Sequence, residues 1–160
     1  MLSVDVGRKG CDSVVCVFKV TPQAQGPAIK SLVNIYTMTD EHMEDQAIKL
    51  KKLYYKFKAR TIVIDGNGLG IGLIDYMVKS QNDEVGDFLP DFGVENDDEG
   101  YYKKYRTANT EYDAMYIIKA NAPINTECHT NAQVQLSSGK VKFLIDERSA
   151  KEKLLGTAKG

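Results

Sequence analysis

Leu2-Ser3-Val4-Asp5-Val6-Gly7 and Thr61-Ile62-Val63-Ile64-Asp65-Gly66-Asn67-Gly68 decide how this chain is read. Each is a short apolar run, alternating or β-branched, that ends in an aspartate and then a glycine. That is the pattern of a strand entering a turn. A carboxylate at a strand end is held rigidly, and the glycine after it lets another chain or an ion come close. Two such carboxylates on neighbouring strands would make a hard, oxygen-rich pocket suited to Mg²⁺ or Mn²⁺, which points to phosphodiester chemistry. One aspartate alone in this setting reads as a turn former. The repeated context gives the pair its meaning.

Around these stretches the pattern alternates between sheet and helix. Val14 to Val20 forms a hairpin with the first stretch through the polar turn Gly7 to Ser13. Pro22 to Pro27 is a loop, and Ile29 to Met38 is a third strand. Thr39-Asp40-Glu41 offers a helix cap. Met43, Ala47, Leu50, Leu53, Tyr54 and Phe57 then recur at helical spacing, so 41–58 is read as an amphipathic helix with Lys49, Lys51, Lys52, Lys56 and Lys58 on a solvated face. After the strand at 61–65, Gly66 to Gly72 opens a second helix through Ile74, Met77 and Val78. Val85 to Val94 holds a strand made edge-like or broken by Pro90. Asn96 to Tyr105 reads as a loop, Thr107 to Ala120 as a helix with Tyr112, Met115, Tyr116 and Ile118 inward, and Gly139 to Ile145 as a late strand. A strand that follows a helix implies a right-handed parallel crossover.

The 160 residues suit a single domain spanning 1–160, and 42% hydrophobic with 27% charged residues is an ordinary globular balance. Lysine and arginine total 21 against 22 acids, so contact with nucleic acid must come from a local patch. Cys11, Cys16 and Cys128 form neither a CxxC pair nor a zinc spacing, which suits a reducing compartment. No signal segment and no membrane-length apolar run is present, so a soluble, intracellular protein without membrane partners is expected.

Three antiparallel strands followed by a parallel crossover are the order of the ribonuclease H-like fold, in which acids ending the first and fourth strands face each other. More specifically, the chain resembles the nuclease domain of the large terminase subunit of tailed bacteriophages. Asp5-Val-Gly7 followed by Asp12-Ser-Val-Val is similar to that family's first motif. Thr61 to Leu73, with Asp65 and its glycine-rich turn, is similar to the second. Arg106 to Met115 resembles the segment where these proteins place a helix before their last strands, and Ser138 to Ile145 the strand after it.

The resemblance implies a mixed α/β sheet flanked by helices and a metal-dependent endonuclease that cuts concatemeric double-stranded DNA during packaging. It implies two Mg²⁺ or Mn²⁺ ions about 3.5–4 Å apart, with Asp5 bridging them and Asp65 binding one. Asp146 is a candidate third ligand, with the alternative that the third acid lies beyond residue 160. Asp12 is either an outer or weak ligand or a plain turn residue. Arg8 and Lys9 are placed to touch phosphates. Lys103, Lys104 and Arg106, interleaved with Tyr101, Tyr102 and Tyr105, either follow a DNA strand or form a solvated loop. His42 and His129 are expected to face solvent.

The implied partners are a packaging ATPase domain, the small terminase subunit and the portal, in the cytoplasm of the infected host. No phosphate-loop motif occurs in the chain, so the resemblance is to the nuclease half alone. Two other readings stay open: a catalytically inactive ribonuclease H-like interaction module of the packaging motor, and an actin- or sugar-kinase-like nucleotide-binding domain.

Overall fold

The computed structural model describes residues 1–144. β1 (Leu2–Asp5), β2 (Ser13–Thr21) and β3 (Ile29–Met38) pair antiparallel in succession, with Asp5 opposite Val14. Helix α1 (Met43–Lys56) then crosses back to β4 (Ile62–Asp65), which lies parallel to β1, with Leu2 beside Ile62 and Val4 beside Ile64. After α2 (Leu69–Met77) come a small hairpin of β5 (Gln81–Asn82) with β6 (Phe88–Leu89), then β7 (Phe92–Val94) and a 3₁₀ turn at Lys103–Tyr105. β8 (Glu111–Ile118), α3 (Ala122–Ser137) and β9 (Val141–Lys142) complete the described chain. The seven-stranded sheet runs β7-β8-β4-β1-β2-β3-β9. Its antiparallel opening and parallel β4 and β8 are the ribonuclease H-like arrangement expected from the sequence.

Strand alternation places the core. Leu2, Val4, Val15, Val17, Ile62 and Ile64 are buried on one face, against Ala47, Leu50 and Tyr54 of α1 and Leu73, Ile74 and Met77 of α2. The intervening positions, Ser3 and Asp5 on β1 and Val63 and Asp65 on β4, fall on the other face. Glycine permits the closest approach within this packing. A Cβ on Gly70 would overlap the carbonyl oxygen of Asp65, and one on Gly66 would overlap Ile117 Cγ2. Helix α2 therefore starts directly against the end of β4.

Several expectations are corrected. The segment read as a helix over 107–120 is strand β8, between β4 and β7. Tyr112 and Tyr116 point outward, 51% and 43% exposed, while Ala114, Met115 and Ile117 are buried. A register irregularity between β7 and β8 puts two consecutive buried residues, Ala114 and Met115, on the strand. That hides the period of two and leaves a false helical spacing. The helix lies further on, as α3, and His129 stands on it, exposed.

Pro90 does break the expected strand at 85–94: β6 joins the small hairpin and β7 takes the edge of the main sheet. Thr39-Asp40-Glu41 does not cap α1. The N-cap is His42, exposed and with no side-chain cap bond, because the Asp40 carboxylate instead accepts from the Gly10 N–H at 3.0 Å. Of the late strand, Val141–Lys142 pairs with β3. Ile145 lies outside the described residues.

The lysine face of α1 is not uniformly solvated. Lys51 is fully buried, its Nζ donating to the Lys79 carbonyl at 2.5 Å and standing 5.6 Å from the Phe92 ring centroid. Burial pushes its ammonium down to about 8, against the opposing pull of Asp91. The unfolded chain keeps that proton to about 10.5. Unfolding between these values takes up a proton, so stability rises with pH by up to ~1.4 kcal/mol per unit across the window. Burial pushes Tyr54 and Tyr55 upward, which reverses the slope above about pH 10. Urea unfolding should show stability climbing from pH 8 to 10 and then falling, with the climb flattened in Lys51→Met. In the same assay Gly70→Ala should lose about 3 kcal/mol or more, since backbone rather than a flexible side chain occupies the space.

Candidate functional site

Asp5 and Asp65 each stand one residue past the Val4–Ile64 rung of the parallel β1–β4 pair, level with one another and on the same face. Neighbouring strands lie about 4.8 Å apart, so the two carboxylates share one end of the sheet. Both are exposed. Their supports differ. The Asn67 N–H donates to Asp65 Oδ1 at 3.0 Å, and Asn67 Nδ2 donates to the Ala120 carbonyl at 2.8 Å. The Gly66 N–H donates to the Ile118 carbonyl at 2.8 Å. Asn67 thus orients one carboxylate oxygen and ties the β4 turn to the end of β8. Among the described residues, no donor engages the other Asp65 oxygen or either oxygen of Asp5.

On the β1 side, a buried polar cluster fixes the turn. Ser13 Oγ accepts from the Gly7 N–H at 2.8 Å and lies 2.7 Å from Gln46 Oε1 and 3.0 Å from the Gly7 carbonyl, both within reach of its one hydroxyl proton. Gln46 Nε2 donates to the carbonyls of Gly7 at 3.2 Å and Glu41 at 3.0 Å. Ser13 and Gln46 are 0% and 1% exposed. Gly7 itself leaves no room for a side chain, because a Cβ there would overlap the Asp12 carbonyl. The first turns of α1 therefore hold the exit of β1. Neither Gln46 nor Asn67 was picked out from the sequence; the Gly66-Asn67-Gly68 turn was the available signal for Asn67, and nothing local marked Gln46.

The other expected site residues divide. Arg8 and Lys9 are exposed in the hairpin turn directly after Asp5. Asp12 lies in the same turn, exposed, with its carbonyl against Gly7. Lys104 packs its Nζ over the rings of Tyr101 and Tyr105, at 4.1 and 5.0 Å. Lys103 is exposed beside it.

Arg106 is not brought to the carboxylates. It pairs with Asp113, five residues before the Ile118 that neighbours Asp65, or about 16 Å back along β8. Asp146 lies outside the described residues. Among the described residues, no three acid, histidine or cysteine side chains gather into a metal-sized group. Beyond Gly66 the sheet end opens into a cleft of about 700 Å³ between the loop after β7 and α3.

Neither a family sequence model nor a curated protein matches the chain. Among solved structures it resembles the crystal structure of the large terminase nuclease from thermophilic phage G20c with bound magnesium. Identity is 14% and the TM-score 0.53, over 92% of this chain and 58% of that one. The likeness is one of fold, and the chain spans a little over half the length of its counterpart. No helix among the described residues is long and apolar enough to cross a membrane.

The buried cluster can be tested without any activity. Gln46→Leu removes three bonds, to Ser13 Oγ and to the Gly7 and Glu41 carbonyls, and should cost about 1–3 kcal/mol in urea unfolding. Asn67→Ala, at an exposed turn, should cost about 1 kcal/mol or less.

Proposed function

We propose that this chain is a divalent-metal-dependent endodeoxyribonuclease domain of the kind found in phage large terminases, cutting concatemeric double-stranded DNA during genome packaging. The observation that carries the reading is the level placement of Asp5 and Asp65 at the ends of adjacent parallel strands. The fold shared with a terminase nuclease supports it. The partners on this reading are a packaging ATPase domain, a small terminase subunit and a portal, in the cytoplasm of the infected bacterium.

The donors present fit Mg²⁺ or Mn²⁺. Both are hard carboxylate oxygens, held at rigid backbone positions and open to solvent. Asp5 and Asp65 would hold the ions, which when bound supply charge neutralisation at the phosphate and a more acidic attacking water. Asn67 keeps Asp65 turned with one oxygen engaged. Ser13 and Gln46 hold the Gly7 turn, so Asp5 enters the site from a fixed direction. Arg8 and Lys9 bring positive charge to the same end of the sheet, where phosphate contacts would be tolerant of sequence and sensitive to salt. Lys103 and Lys104, with the Tyr101 and Tyr105 rings, offer a second contact for a strand. Arg106 has its charge engaged by Asp113 and adds little to this contact.

A second reading, an inactive interaction module of the packaging motor, draws on the grouping of two rather than three acids among the described residues. One experiment separates the two. Supercoiled plasmid should be nicked or linearised by the chain in Mn²⁺ or Mg²⁺ and left intact in chelator. Asp5→Asn and Asp65→Asn should each slow cleavage by roughly a hundredfold or more. In parallel, Mn²⁺ should raise the Tm of the parent and not of Asp5→Asn, and Mg-ATP should leave Tm unchanged. Intact plasmid with no Mn²⁺ shift assigns the module, and a Mg-ATP shift assigns a nucleotide-binding domain.

A further inference from the structure

Helix α3 runs for 16 residues without burying one of them. An isolated helix of this length is marginal in water and ordinarily depends on tertiary packing. Ile124, Glu127, Cys128 and Asn131 recur at i, i+3, i+4 and i+7 and together line the cleft beside Gly66. Opposite them the cleft presents apolar surface that is left open: Ile71 is 50% exposed and Tyr116 43%. A concave apolar surface of this kind on a soluble domain marks a binding site.

The rim carries the opposite signal to a nucleic-acid groove. Asp98, Glu99 and Glu127 line it against one lining cation, Lys119, while Lys104 stands over the Tyr101 ring. Among the described residues none of these three acids forms an ion pair. Asp97 is engaged differently, its carboxylate accepting from the N–H groups of Tyr102 and Lys103 at 2.8 and 3.1 Å. A phosphate backbone would be repelled here, whereas a segment with apolar side chains on one side and lysines or arginines on the other would meet complementary surface throughout.

We propose that the cleft between α3 and residues 95–102 docks a cationic, amphipathic peptide segment of a partner protein. The occupant packs its apolar side chains against Ile124, Ile71 and Tyr116 and sets its cations among Asp98, Glu99 and Glu127. In doing so it gives α3 the packing partner it lacks among the described residues. The site adjoins Gly66 but contains neither Asp5 nor Asp65, so the inference stands apart from the nuclease reading.

A short leucine–lysine peptide with helical amphipathicity serves as the probe, its binding to the whole chain followed by fluorescence anisotropy. Asp98→Asn/Glu99→Gln/Glu127→Gln should weaken binding about tenfold. Glu44→Gln/Asp45→Asn/Asp87→Asn, which removes the same charge elsewhere, should change it less than about twofold. Tyr116→Ser should also weaken it, and hydrogen exchange of the α3 amides should slow in the complex. Equal losses in both triple variants, absence of binding, or slowed exchange confined to other elements would overturn the proposal. So would an oligothymidine that protects the α3 amides as the peptide does. None of these readouts involves cleavage, so failure here leaves the nuclease reading to its own test.

Discussion

The parallel pairing of β1 with β4 is the constraint from which the candidate site follows. Leu2 and Val4 on one strand and Ile62 and Ile64 on the other are at or near zero exposure. A one-residue slip of either strand would turn these side chains outward and drive its aspartate into the core. Core burial therefore decides that Asp5 and Asp65 share the opposite face, and strand length decides that both stand at its end. The carboxylates need no mutual attraction to be near each other. Their like charges are held at one sheet end by apolar side chains that stop one residue short of them.

Fixing two backbones is not enough to fix two carboxylates, and each strand exit has its own brace. On β4 the brace is local: Asn67 reaches back to Asp65, and Gly70 allows the first turn of α2 to sit on the Asp65 carbonyl. On β1 it is long-range, since Gln46 lies 39 positions from the Gly7 carbonyl it holds. A buried side-chain amide is tolerated there because both its nitrogen and its oxygen are engaged, which removes the desolvation penalty of an unpaired group. The Asp40–Gly10 contact extends the same connection to the tip of the hairpin. Helix α1 thus covers the core and also steadies the turn that carries Arg8 and Lys9.

This division explains what the sequence disclosed. Strands β1 to β4, helices α1 and α2 and the aspartate pair were legible because apolar periodicity and turn residues coincide in them. Helix α1 also shows where that reading stops: Lys51 was assigned to water by its spacing, yet its long stem lies buried and its ammonium reaches a backbone carbonyl. β8 was misread because Tyr112, Met115 and Tyr116 mimic a helical stripe while the β7 pairing slips past them. α3 went unread because it has no buried side to give it a period, although Asn121 and Pro123 are a sound helix start, with Asn121 Oδ1 accepting from the Ile124 N–H at 2.9 Å. The Gln46 cluster was beyond reach for another reason: contacts between distant polar residues leave no local pattern.

A net charge of −1 conceals a separation of sign around the sheet end. Arg8 and Lys9 flank the carboxylate pair on the β1 side, while Asp98, Glu99 and Glu127 gather past Gly66 on the β8 side. β1 and β8 lie on either side of β4, about 10 Å apart at the usual strand spacing. That is beyond a Debye length of about 8 Å at physiological salt, which lets each patch act on what approaches its own side. A polyanion is drawn to the hairpin side and turned away from the cleft, and a cationic segment is steered the opposite way. The two surfaces can therefore work side by side, because the field that favours one ligand at its own site disfavours it at the other.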